Sequence, residues 1–241
     1  MNLTIDAGNT SIKVMVFKDN VAVYRNENKK LSVRFLKNIF FKYPIQHSIL
    51  SSVIQIDPAV IKFMKQKGTF FLFTLKTPIP VKNKYRTPQT LGQDRMSSAI
   101  AVHSLFPKRN VLIVDVGTCI KYDFVNNKGQ YCGGSISPGL NMRFKALHAF
   151  TAKLPLVRFG SVKKLTGDST ETSIQTGVEI GMEEEIKGFI NRYKKQYKRV
   201  KVVITGGDAS RFVSKLNLSI FAASDLVNLG LNEIIKYNVK K

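Results

Sequence analysis

The chain has 241 residues, 44% apolar and 22% charged, which is ordinary for a globular protein and enough for one large domain or two smaller ones. Its 38 Lys and Arg against 16 Asp and Glu give a net charge of +22, which invites nucleic acid, a membrane surface or anionic small molecules as partners. No apolar run approaches the ~18–20 residues of a membrane-spanning helix, and two cysteines, Cys119 and Cys132, exclude a disulfide framework or a zinc set.

In chain order, LTIDAGNTSIKVMVF reads as a strand, a glycine-containing turn and a second strand. Lys18–Asn20 is a turn signal and Val21–Arg25 a third strand. The N-terminus thus begins as a strand, without the basic and apolar regions of a signal peptide, and a reducing cytoplasm is expected. Leu31–Lys42 has helical apolar spacing, with a Phe-rich face that reads as core. HSILSSV and FFLFTL read as short buried strands, and Leu91–Phe106 as a helix broken by Pro107. After a boundary near Pro107–Asn110 the first layout returns: VLIVDVGTCIKYDFV, a turn at Asn126–Gly129, and a third strand at Gln130–Ser137. Pro138 stands near the start of another helix. Thr170–Lys198 is a long helical region with candidate breaks at Gly181 and Gly188. Lys201–Ser210 is a strand running into a Gly-Gly turn, and LVNLGLNEIIKY closes the chain as a helix.

The repeat carries chemistry. With one residue of slack, Asp6, Gly8, Thr10, Ile12 and Lys13 fall on Asp115, Gly117, Thr118, Ile120 and Lys121. An Asp at a buried strand end, followed by Gly and Thr, supplies a carboxylate beside main-chain N–H groups that a phosphate can approach closely. A carboxylate meets phosphate only through a cation or water. One such motif is often just a hairpin turn. Two, heading matching meanders and followed by VVITGGDAS, resemble the acetate and sugar kinase, heat-shock chaperone and actin superfamily. That resemblance implies an α/β fold of two ribonuclease H-like, actin-like domains, 1–109 and 110–241. Each would be a mixed five-stranded sheet flanked by helices, with the active cleft between them.

Between the motifs, YRTPQTLGQDR puts Gly-x-Asp-Arg at a helix start. Asp94 there reads either as a helix-terminus partner or as a base, and Arg95 as a surface charge or a two-point anion ligand. With DAGNTSIK, Tyr85 ahead of GQDR, DVGT, GGSISPGL, TAKLP, GDSTETSIQTGVEIG and ITGGDA in this order, the chain resembles the type III pantothenate kinases over essentially its whole length. The resemblance implies ATP-dependent phosphorylation of pantothenate to 4'-phosphopantothenate, the first step of coenzyme A biosynthesis. It implies that Asp6, Ala7, Gly8, Asn9, Thr10, Ser11, Ile12 and Lys13 embrace the ATP phosphates, with a further ATP contact from Thr118. Asp115 would sit at a monovalent cation, potassium or ammonium, and Mg2+ would accompany ATP. Tyr85, Gly92, Gln93, Asp94 and Arg95 would bind pantothenate, with Asp94 the catalytic proton acceptor. Thr170 would reach the substrate of a neighbouring subunit in a homodimer.

The chain departs from the pattern at Cys119, where many relatives carry Ala, and at Lys121, where they carry a small hydroxyl residue. Lys121 either points at phosphate or sits on a solvent face, and the solvent face is the expectation; if it reaches the nucleotide, the cation dependence changes. His47, His103 and His148 lack metal spacing, and Glu183–Glu185 point to different faces of a helix. The basic run Arg192–Lys201 follows Glu183–Glu185 in the order a helix dipole favours, so a solvated helix end is expected, with no specific nucleic-acid or membrane partner. The competing readings are another small-molecule kinase of the superfamily, a non-catalytic nucleic-acid-associated factor in transcription, and an actin-like assembly protein.

Overall fold

A computed structural model describes residues 1–162, 164–214, 216 and 220–240. The chain is α/β and divides into two compact units. The first comprises 1–107, 129–131 and 225–241; the second comprises 108–128 and 132–224.

The first unit opens with β1 (Asn2–Ala7), β2 (Ile12–Lys18) and β3 (Val21–Asn28), an antiparallel meander. It adds α1 (Val33–Lys42), β4 (His47–Ser52), α2 (Pro58–Gln66) and β5 (Thr69–Leu72), giving sheet order β3-β2-β1-β4-β5. β4 and β5 run parallel to their neighbours. Ser32 caps α1 by accepting from Phe35 N–H. Asp57 caps α2 ahead of Pro58, the residue whose missing N–H costs a helix start nothing. Strand alternation sorts the two sheet faces. Leu3, Ile5, Ala7, Ile12, Val14, Val16 and Leu50 pack with Leu36, Ile39, Val60, Phe63 and Met64 of α1 and α2. Thr4 and Asp6 therefore lie on the opposite face.

That opposite face takes α7 (Leu226–Val239), the last helix of the chain, which also packs on α3 (Gln93–Leu105). Two buried amides fix α7 there. Thr4 Oγ1 donates to Asn228 Oδ1 at 2.9 Å, and Asn2 Nδ2 donates to Asn232 Oδ1 at 2.8 Å. Asn232 Nδ2 in turn donates to the Asp19 carbonyl. Residues Arg95–Val102 of α3 are all buried, which is why the helix shows no polar stripe. The sequence division at 109/110 groups α7 with the second half, whereas compact packing puts Asp225–Lys241 in the first unit.

The second unit repeats the plan with β7 (Asn110–Val116), β8 (Cys119–Val125), β9 (Gln130–Pro138), β10 (Val200–Thr205) and β11 (Phe221–Ala222), in the order β11-β10-β7-β8-β9. Within the first unit, the two-residue strand β6 (Lys82–Asn83) pairs with Gln130–Tyr131 at the start of β9. Helices α4 (Leu140–Ala149), α5 (Thr170–Gln196) and α6 (Ala209–Val213) accompany the second sheet. On α5, Ile174, Val178, Met182, Ile186 and Ile190 recur every fourth residue and bury against Leu112, Val114, Val116, Ile120 and Tyr122.

Two expectations change. α5 runs unbroken through Gly181 and Gly188, because its apolar stripe is continuous past both glycines. β5 is an edge strand rather than a buried one, and Leu72 is 48% exposed.

Candidate functional site

Each unit presents its glycine turn at the carboxyl end of a central strand. In the first, Gly8 N–H donates to Ser11 O at 3.0 Å across exposed Asn9 and Thr10. In the second, Gly117 N–H donates to Cys119 O at 3.1 Å across exposed Thr118 alone. The slack residue of the repeat is thus one extra residue inside the first turn. Around it the register is shared: Asp6 lies directly opposite Lys13, and Asp115 directly opposite Lys121.

On the first unit the substrate segment meets the same sheet end. β1 and β4 pair Asp6 with Ser51 and Ala7 with Ser52. Gln93 Oε1 accepts from Ser51 Oγ at 3.1 Å and from Ser52 N–H at 3.3 Å, which seats the start of α3 beside that end. Gly92 is the N-cap of α3 and has no side chain to cap it, so the positive end of the helix dipole lies beside this segment. Asp94 folds back over Gly92: a Cβ there would stand 2.4 Å from Asp94 Oδ1. Glycine is required for this carboxylate position. Arg95 is 6% exposed and its guanidinium lies 5.6 Å from the Tyr85 ring centroid, a cation–π contact that orients both. Tyr85 N–H donates to Asn83 Oδ1, and its ring leans on Tyr131.

On the second unit, Gly139 N–H donates to Thr118 O at 3.1 Å. Gly139 is the N-cap of α4, again without a side-chain cap, and a Cβ there would stand 2.2 Å from Gly117 O. The Gly117–Thr118 turn therefore abuts an open helix N-terminus, an arrangement suited to phosphate. Gly206 at φ +100° closes the other side, with Asp208 N–H donating to Val116 O. Thr170 is exposed at the first position of α5, next to a capping box in which Ser169 and Thr172 satisfy each other's backbone N–H groups.

A model of the type III pantothenate kinase family matches residues 2–192. The chain belongs to the type III pantothenate kinase family. It is 43% identical over 244 residues to the type III pantothenate kinase of Phocaeicola vulgatus, covering 100% of both chains. It is 44% identical over 239 residues to that of Bacteroides fragilis, covering 99% of this chain and 98% of the relative. Among solved structures it resembles a putative Baf family transcriptional activator from Campylobacter jejuni, with TM-score 0.64, 20% identity, and 99% and 100% of the two chains covered. It also resembles a glucokinase from an Antarctic psychrotroph, with TM-score 0.53, 11% identity and 98% of each chain covered. These two likenesses concern the fold: two mixed sheets flanked by helices, shared with sugar kinases.

Against the family pattern, the site fits ATP with Mg2+. Within each unit a glycine turn and a helix start with glycine at its N-cap offer N–H groups to phosphate, and in the first unit the Asp6 carboxylate at the end of β1 suits a divalent ion. It does not fit a free monovalent cation at Asp115. Lys121 Nζ stands 2.7 Å from Asp115 Oδ2, with both side chains 18% exposed, so an ammonium already holds that carboxylate. Lys121 is thus not on a solvent face as expected. Cross-strand register sends it to the Asp115 side of the sheet.

Several residues escaped the sequence reading. Ser51 and Ser52 hold Gln93, and Glu179, 2% exposed, accepts from the N–H groups of Gly160 and Val162. Glu185 turns inward to Tyr122, Ser137 and Arg143, while Glu183 and Glu184 both hold Lys187. The histidines have structural neighbours: His47 with Asn2, His148 with the Leu154 carbonyl, and His103 against Gly129. Among the described residues no cluster of three or more His, Cys, Asp or Glu could hold a metal, and Cys119 and Cys132 form no disulfide.

Proposed function

We propose that this chain transfers the γ-phosphoryl group of ATP to the primary hydroxyl of pantothenate, forming 4'-phosphopantothenate and ADP for coenzyme A biosynthesis. The observation that carries the reading, beside family membership, is the placement of Asp94 and Arg95. Gln93 anchors them beside the strand end bearing Asp6, at the N-terminus of α3. Asp6 to Lys13 and Thr118 take the ATP phosphates, and Mg2+ bound with ATP offsets their charge. Tyr85, Gly92, Gln93 and Arg95 bind pantothenate, with the guanidinium on its carboxylate. Asp94 accepts the hydroxyl proton as the new oxygen–phosphorus bond forms and the bond to ADP breaks. A loose transition state needs alignment more than basicity, which is why a carboxylate suffices. Thr170 serves the substrate of the other copy in a homodimer working in the cytoplasm. No free monovalent cation is assigned to Asp115.

A coupled ADP-release assay with pantothenate and Mg-ATP tests this, comparing the parent with Asp94→Asn. The parent turns over only with pantothenate. The variant keeps its fold and its pantothenate KM but loses ~10²–10⁴-fold in kcat, the contribution of a positioned base. ADP release indifferent to pantothenate, or a fully active Asp94→Asn, overturns the assignment.

A further inference from the structure

We propose that Lys121 is a tethered cation for the phosphate turn of the second unit, so that this kinase runs without a free monovalent cation. The proposal rests on the kinase reading. Three observations carry it. Lys121 Nζ is 2.7 Å from Asp115 Oδ2, and at 18% exposure each group is shielded well beyond an ordinary surface pair. The other carboxylate oxygen faces the phosphate turns: a Cβ on Gly206 would stand 2.6 Å from Asp115 Oδ1, and one on Gly117 3.7 Å from it. The pair therefore sits at the junction of the Gly117–Thr118 and Gly206–Gly207 turns. Third, the register Asp115–Lys121 repeats Asp6–Lys13, so a lysine opposite the strand-end Asp belongs to the duplicated device.

The physical case is one of tethering. A cation at Asp115 cancels the carboxylate's repulsion of incoming phosphate and leaves positive charge beside the turn. An ammonium does this as a compact point charge with three N–H donors. Fixed by its own strand, Lys121 meets Asp115 at an effective concentration on the order of millimolar or more, with no translational entropy left to lose. A dissolved potassium or ammonium ion would have to displace it.

The test measures pantothenate-dependent ADP release in potassium, ammonium, sodium and Tris chlorides for the parent, Lys121→Met and Lys121→Thr. Calorimetry measures the affinity of a non-hydrolysable ATP analogue in the same salts. Circular dichroism checks each fold, and the methionine variant, which keeps the aliphatic stem, guards against collapse of the threonine one. The parent's rate and analogue affinity should be the same in all four salts. A folded variant should lose about 10²-fold in turnover in sodium or Tris, the usual scale for removing one fixed electrostatic contact. Potassium or ammonium should restore most of that loss and tighten analogue binding. A merely structural ion pair would not produce that selective rescue. Potassium dependence in the parent, full activity of the variants in Tris, or a folded variant that neither ion rescues overturns the proposal. Absence of pantothenate-dependent turnover in every salt overturns the kinase reading instead, and the salt dependence of analogue binding then still decides the role of Lys121.

Discussion

Gly230→Ala tests the packing that positions the substrate segment. Gly230 lies on α7 where it crosses α3, and an added Cβ would stand 1.8 Å from the Ser97 carbonyl oxygen and 2.5 Å from its carbon. Carbon–oxygen contacts run to about 3.3 Å or more, so roughly 1.5 Å must open between two helix backbones, and no flexible side chain can absorb it. Overpacking costs typically about 1–3 kcal/mol, and backbone on both sides puts this case near the top. Replacing a helical glycine by alanine returns about 1 kcal/mol. The net loss is roughly 2 kcal/mol, which for a chain of this size lowers Tm by about 4–8 °C. Ser97 follows Asp94 by one helical turn, so the displaced α3 carries Asp94 and Arg95 with it and the pantothenate KM rises. Gly181→Ala and Gly188→Ala on α5 are the controls. Nothing lies within 4 Å of a Cβ at either site, so only the propensity gain acts and Tm rises by about 2–4 °C each. Calorimetric melting of the three variants reads both signs. A Gly230→Ala chain melting at or above the parent refutes the close-crossing argument.

Two further outcomes follow from the second unit. Glu179→Ala strips the acceptor from the N–H groups of exposed Gly160 and half-buried Val162, where water can replace it, so each lost bond costs about 1 kcal/mol net. Hydrogen exchange at those amides should accelerate, and unchanged protection would show that other groups order the segment. Burial and the Glu185 carboxylate push the Tyr122 phenol far above its ordinary value near 10. The folded chain therefore holds that proton where the unfolded chain releases it. Stability from Tyr122 is complete below about pH 10 and falls as pH rises above it. Denaturant titrations from pH 8 to 11 should show a shallower alkaline decline for Tyr122→Phe than for the parent.

How much was legible depends on whether a feature is local. The Asp-Gly turns, the meanders and the GQDR helix start are written in contiguous residues, so they could be read from spacing. α2 also had a local signal, Asp57–Pro58 before an apolar run, which the sequence reading passed over. Non-local features were hidden. The edge position of β5 and the seating of α7 against β1 depend on sheet order and on Asn228 and Asn232, which look like surface polar residues in isolation. Lys121 is the instructive case. Strand alternation alone allowed either face, and only the register opposite Asp115 decides it.

The same distinction bears on the nucleic-acid reading, whose best local footing is the basic run Arg192–Lys201. Binding single strands through such a run needs aromatic ring faces open for base stacking among the cations. Here Tyr197 stacks on Phe124 at 4.3 Å between ring centroids, and Tyr193 lies against both rings. Burial also pushes the Tyr193 phenol upward, as expected of a ring committed to the interior. The tyrosines are anchors that fasten the end of α5 to β8, and the lysines between them line its exposed side. At this run, what is left to that reading is charge without open tyrosine faces. A surplus of positive charge equally serves a protein whose two substrates, ATP and pantothenate, are both anions drawn to it by the same field.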